Sequence, residues 1–153
     1  MLALAVVSCT KQEVYERTDV LVINLSSRGL TRSALSTDPI SVENNINTAT
    51  IGVFASDGTM KIVRDFVIGT TKSVTIRVPN ISSSDKVACS INTPAGKYAD
   101  VKTLQDFNNK EMLLDNTVST NGVDLSASNL FMYGESSITA VSDAYQANVD
   151  VYH

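Results

Sequence analysis

The side chains that could do chemistry are few, and they are poorly placed for catalysis. His153 is the single histidine and stands at the end of the chain, so a Ser/His/Asp or Cys/His arrangement would need that residue as its base. Ser83-Ser84-Asp85-Lys86 spells S-x-x-K, the spacing of serine-lysine nucleophiles, but it sits in a polar turn and the partner motifs are missing. There is no G-x-S-x-G, no Gly-rich phosphate loop and no C-x-x-C. Glu43-Asn44-Asn45 and Asn108-Asn109 lack the alternating acids of a calcium loop and read as solvated turns. The sequence therefore predicts no enzyme, no metal site and no cofactor.

Two cysteines and two arginines carry more information. Met1 to Ser8 is an apolar run that ends in Val6-Val7-Ser8-Cys9, which resembles a bacterial lipobox, where a signal peptide is cut before a cysteine that takes a lipid such as palmitate. No Lys or Arg precedes the run, and it is barely longer than the shortest apolar leader core, about 7 residues, so it reads as a leader lacking its beginning. The other reading is a buried N-terminal strand with Cys9 in the core. The run is too short for a transmembrane helix, which needs about 20 apolar residues. Cys89 lies inside an apolar stretch with nothing basic beside it to stabilise a thiolate, and reads as a small core residue. Arg28 and Arg32 fall in a Ser- and Thr-rich connection, the composition in which proteases cut.

The elements that position these residues are strands. The chain has 153 residues and is 43% hydrophobic, enough for one domain with a real core, and it is rich in Val, Ile, Thr, Ser and Asn. Its net charge of −4 is spread out with no basic block, which excludes nucleic acid as an expected partner. Residues 10–18 are a polar tether. In Asp19 to Leu25, Leu21, Ile23 and Leu25 share one face and Val20, Val22 and Asn24 the other, as in a strand with one buried face. Ser26 to Asn47 is a long connection.

Further strands are expected at Thr48 to Ala55 and Met60 to Val67, joined by an Asp57-Gly58 hairpin, and at Ser73 to Pro79 and Lys86 to Asn92. Val101, Leu104, Phe107 and Met112 change the period to that of a short helix. Asn129 to Gly134, Ser137 to Val141 and Ala147 to Tyr152 complete the strand candidates, with Leu130-Phe131-Met132 as core. The last of these breaks off in mid-pattern, which predicts a continuation beyond His153. With no Trp and no clustered Tyr, a sugar-stacking platform is not visible.

The order of these features resembles the N-terminal domain of the fimbrillins, the type V pilins of the Bacteroidia. The likeness is carried by Val6 to Cys9, Leu21 to Ser33 (LVINLSSRGLTRS), Thr50 to Gly58 (TIGVFASDG), Val87 to Pro94 (VACSINTP) and Leu130 to Gly134 (LFMYG). The resemblance implies an all-β, transthyretin-like (Greek-key, Ig-like) β-sandwich with a short helical segment. It implies residues 1–8 as leader, 9–18 as tether, 19–32 as a removable first strand with its cleavage loop, and 33–153 as the sandwich, with a second domain absent.

In function it implies a fimbrial subunit that reaches the outer membrane through a lipid on Cys9 and is then cut by an Arg-specific protease. Arg32 with Ser33 as the new N-terminus is the first choice of cut, and Arg28 with Gly29 the fallback. The strand of Leu21, Ile23 and Leu25 would leave, and other fimbrial subunits would fill its place in a homo- or hetero-polymer supporting adhesion. The alternatives are an uncut surface lipoprotein, either a fimbrial tip or anchor in which the first strand is a permanent edge strand or a sandwich binding a glycan or host ligand, and an Arg32 that is an ordinary loop residue.

Overall fold

The computed structural model describes residues 18–27, 45–110 and 131–152. They form eight strands and one short helix: β1 (Thr18–Ser27), β2 (Thr48–Phe54), β3 (Met60–Val67), β4 (Ser73–Pro79), β5 (Lys86–Ile91), α1 (Leu104–Asn108), β6 (Met132–Ser137), β7 (Thr139–Val141) and β8 (Ala144–Val151). Two four-stranded sheets face each other, one ordered β4-β1-β8-β7 and the other β3-β2-β5-β6. The protein is an all-β sandwich. Its main core lies between the sheets.

Local chemistry accounts for most of these elements. In β4, Val74, Ile76 and Val78 are buried while Thr75 and Arg77 face water, the period of a strand with one wet face. Asp57-Gly58 turns the chain between β2 and β3: Gly58 takes φ +87°, and the Asp57 carboxylate accepts the Thr59 N–H at 2.8 Å. That bond holds the Asp57 carboxyl below its usual range. At the end of β5, Asn92 takes φ +57° and its side chain accepts the Asn47 N–H at 2.9 Å and donates to the Asn45 carbonyl at 2.8 Å, tying the entry of β2 to the exit of β5.

The run from Met132 to Val141 changes sheets. β6 belongs to one sheet and β7 to the other, and the residue between them, Ile138, is 3% exposed and packs into the core at the corner. At the opposite end of β6, Tyr133 and Tyr152 exchange two backbone hydrogen bonds, each 2.9 Å, linking β6 to the residue that follows β8.

β2 and β5 are buried on both faces. Ile51, Val53, Val87, Cys89 and Ile91 enter the main core, while Phe54 and Ala88 point the other way into a second, aromatic core with Tyr98, Val101 and Phe107. Phe107 stacks on Tyr98 with ring centroids 4.2 Å apart and meets Phe54 edge-on at 5.6 Å. Gly52 makes the room, since a Cβ there would lie 2.5 Å from the Phe54 ring. The expected helix is confined to α1. Thr103 caps it, accepting the Asp106 N–H at 3.1 Å while Asp106 accepts the Thr103 N–H at 2.9 Å. Met112 and Leu130 lie outside the described residues.

Candidate functional site

β1 occupies the middle of its sheet. It pairs antiparallel with β4, Leu21 opposite Ile76 and Ile23 opposite Val74, and parallel with β8, Leu21 opposite Tyr145 and Leu25 opposite Val149. The reading of the first strand as a permanent edge strand is therefore corrected: both backbone edges of β1 are paired. Sequence alternation identifies a buried face but carries no information on how many neighbours a strand has. The strand also begins at Thr18, within the polar segment expected to be tether, and runs on to Ser27.

Leu21 and Ile23 are 0% exposed and Leu25 5% exposed, all three in the main core as their spacing predicts. The outward face of β1 is half apolar and half polar. Val20 and Val22 stand near its start, beside Arg77 and Thr75 of β4. Asn24 stands nearer its end, between Ser73 and Asn148. Its Nδ2 donates to Asn148 Oδ1 at 2.9 Å, and its Oδ1 accepts from the Ser73 hydroxyl at 3.0 Å. Gln146 donates to the same Asn148 oxygen at 3.3 Å, and the Ser26 hydroxyl donates to Asp150. A polar ladder thus crosses β4, β1 and β8 on the solvent side, opposite the apolar contacts within.

The remaining site residues read from the sequence divide cleanly. Cys9, Arg28, Gly29, Arg32, Ser33 and His153 lie outside the described residues. Cys89 is fully buried, and burial pushes its thiol far up, which makes it a core residue without nucleophilic character. The S-x-x-K serines form the turn before β5, where Asp85 is occupied structurally: it is 2% exposed, accepts the Ser82 N–H at 2.8 Å, and pairs with Lys61 Nζ at 2.7 Å.

The aromatic cluster escaped the sequence reading because its members come from β2, the 93–108 segment and β6, and meet only through tertiary packing. At its rim the Tyr133 hydroxyl is shared between Asn108 and Glu135, and Asn108 donates to Glu135 at 2.9 Å. Burial first, then the Glu135 hydrogen bond and charge, raise the Tyr133 phenol, so it stays protonated. Beside it lies an open cleft of about 510 Å³ with Asp57, Lys86, Gln105 and Asn108 among its lining. Among the described residues no group of three or more His, Cys, Asp or Glu could hold a metal ion, and no helix is long and apolar enough to cross a membrane.

The fold and the site together define a class: β-sandwich domains in which the first described strand is an internal member of its sheet. No protein-family model and no curated protein matches the sequence. Among solved structures, a candidate cell adhesion protein from Bacteroides eggerthii superposes with a TM-score of 0.63 at 22% identity, over 90% of this chain and 41% of its own. A fimbrial assembly protein from Parabacteroides distasonis superposes with a TM-score of 0.51 at 14% identity, over 90% of this chain and 53% of its own. At these identities the likeness is one of fold. The chain spans about half, or less, of the length of these two structures.

Proposed function

We propose that the chain is a structural subunit, or the N-terminal part of one, of a cell-surface fimbria serving adhesion, with no catalytic task. It would be held first at the outer membrane by a lipid on Cys9. An Arg-specific protease would then cut after Arg32, or failing that Arg28, releasing β1 together with the tether. A strand from another subunit would take its place.

One observation carries this reading: β1 is paired on both edges and buries Leu21, Ile23 and Leu25, yet it is joined to the rest of the domain through the 28–44 segment that holds both arginines. Fully burying such side chains is worth about 1.5 to 3 kcal/mol each. A domain's whole net stability is about 5 to 15 kcal/mol. An emptied position between β4 and β8 would expose that apolar surface and two rows of unpaired backbone groups, and would favour a replacement strand. The fold shared with a candidate cell adhesion protein and a fimbrial assembly protein agrees with this role.

The test is treatment of the full-length precursor with an Arg-specific protease, followed by N-terminal sequencing and sizing. A product beginning at Ser33 or Gly29 that forms oligomers supports the reading. A chain that resists cutting and stays monomeric refutes it and favours the uncut surface lipoprotein, for which selective binding on a glycan array is the direct assay.

A further inference from the structure

The position held by β1 is selective on both of its faces, and the outward face also distinguishes the two ends of the strand. Inward, position 21 lies between Ile76 and Tyr145 and position 23 between Val74 and Ala147. At position 25 the neighbour on one side is Val149, and on the other the Leu25 N–H donates to the Lys72 carbonyl at 2.8 Å. Outward, position 22 faces Thr75 and Gln146, position 24 faces Ser73 and Asn148, and position 26 faces Asp150. Asn148 Oδ1 and the Ser73 hydroxyl ask for opposite things of residue 24, a donor and an acceptor, and one side-chain amide supplies both.

A one-residue slip would turn the apolar set outward. A two-residue slip would keep the apolar face inward, but in one direction it sets Val22 against Ser73 and Asn148, and in the other it puts Ser26 there in place of the amide. Reversal of the strand about Ile23 would set Val22 against Asn148 and Val20 against Asp150. The inward face thus requires alternation, and the outward face fixes register and direction.

Resting on the strand-replacement reading above, we propose that the incoming partner segment is a strand running parallel to β8 in which three large apolar residues alternate with an ordered outward set. That set has a side-chain amide at the position of Asn24 and a hydroxyl at that of Ser26. Ser73, Asn148 and Asp150 are the selecting residues.

The experiment uses the full chain with a site-specific protease sequence placed within the 34–44 segment, so that cutting does not depend on Arg32. After cutting, fluorescently labelled peptides are offered in excess and uptake is followed by anisotropy and native mass spectrometry. The first peptide is TDVLVINLSS, the β1 sequence. The second is its Val22→Asn/Asn24→Val version, with the same composition and inward face but the outward order exchanged. Loss of the two hydrogen bonds that Asn24 makes is expected to weaken uptake about tenfold. Asn148→Ala in the protein should narrow that gap. Equal uptake of the two peptides overturns the outward selection while leaving strand replacement standing. No uptake of either overturns both.

Discussion

Gly134 of β6 lies directly beneath the main-chain carbonyl of Asp150 in β8: a Cβ built on it would stand 2.2 Å from that oxygen. No side-chain motion relieves a contact with backbone. Gly134→Ala is therefore expected to push β6 from β8 and to cost about 1 to 3 kcal/mol, as overpacking does, read from the urea midpoint. Because Tyr133 and Tyr152 exchange hydrogen bonds beside it, their amides should lose hydrogen-exchange protection in the variant. Unchanged protection would mean that β6 and β8 are held together elsewhere.

The two faces of β1 should differ in their response to truncation. Ile23 is wholly buried, and Ile23→Ala is expected to cost about 2 to 5 kcal/mol. Val22 is only half-buried on the solvent side, so Val22→Ser should stay within about 1 kcal/mol. Denaturant unfolding of both variants checks the contrast. Similar losses would contradict the assignment of faces.

How much of this was legible in the sequence depends on how local the determining contacts are. β4 could be read outright, because one wet face and one buried face leave alternation in the chain, and Asp57-Gly58 announced its hairpin through side-chain and backbone preferences confined to a few residues. β2 and β5 could be located but not understood. Burial on both faces erases alternation, and the second layer over them, Tyr98 and Phe107, comes from the segment after β5. The central place of β1 was not legible at all. It rests on pairing with β8, more than a hundred residues away, and on Asn24 meeting Asn148. Only the apolar half of that strand's character, Leu21, Ile23 and Leu25, is written in its own spacing.

Lys61 and Asp85 should respond asymmetrically. Asp85 is 2% exposed and Lys61 18%. Removing the ammonium leaves a buried carboxylate without its counter-charge, so Lys61→Met is expected to cost about 3 kcal/mol. Asp85→Asn keeps an acceptor for the Ser82 N–H, and Lys61 retains the Asn80 carbonyl and some access to water, so its cost should be smaller. Equilibrium unfolding of the two single variants decides. Equal losses would place the interaction among ordinary surface pairs.

Acid should weaken the fold through its turn carboxylates. The N–H groups of Lys102 and Thr103, with the Thr103 side chain, hold Asp106 below its usual value of 3.8, and the Thr59 N–H does the same for Asp57. A carboxyl depressed in the folded state contributes stability that is complete above 3.8 and is lost as pH falls through the lower folded value. Stability should therefore be flat near neutrality in these two groups and decline below about pH 4. Asp57→Asn/Asp106→Asn keeps the acceptor oxygens and removes the titration, so its unfolding midpoint should vary less with acid than that of the parent. Thr103→Ala separates the cap from the charge: it should cost about 1 kcal/mol at neutral pH and leave the acid slope contributed by Asp57 in place. A double variant as acid-sensitive as the parent would move the origin of that sensitivity to other carboxylates, beginning with Asp100, which the Lys110 ammonium holds low.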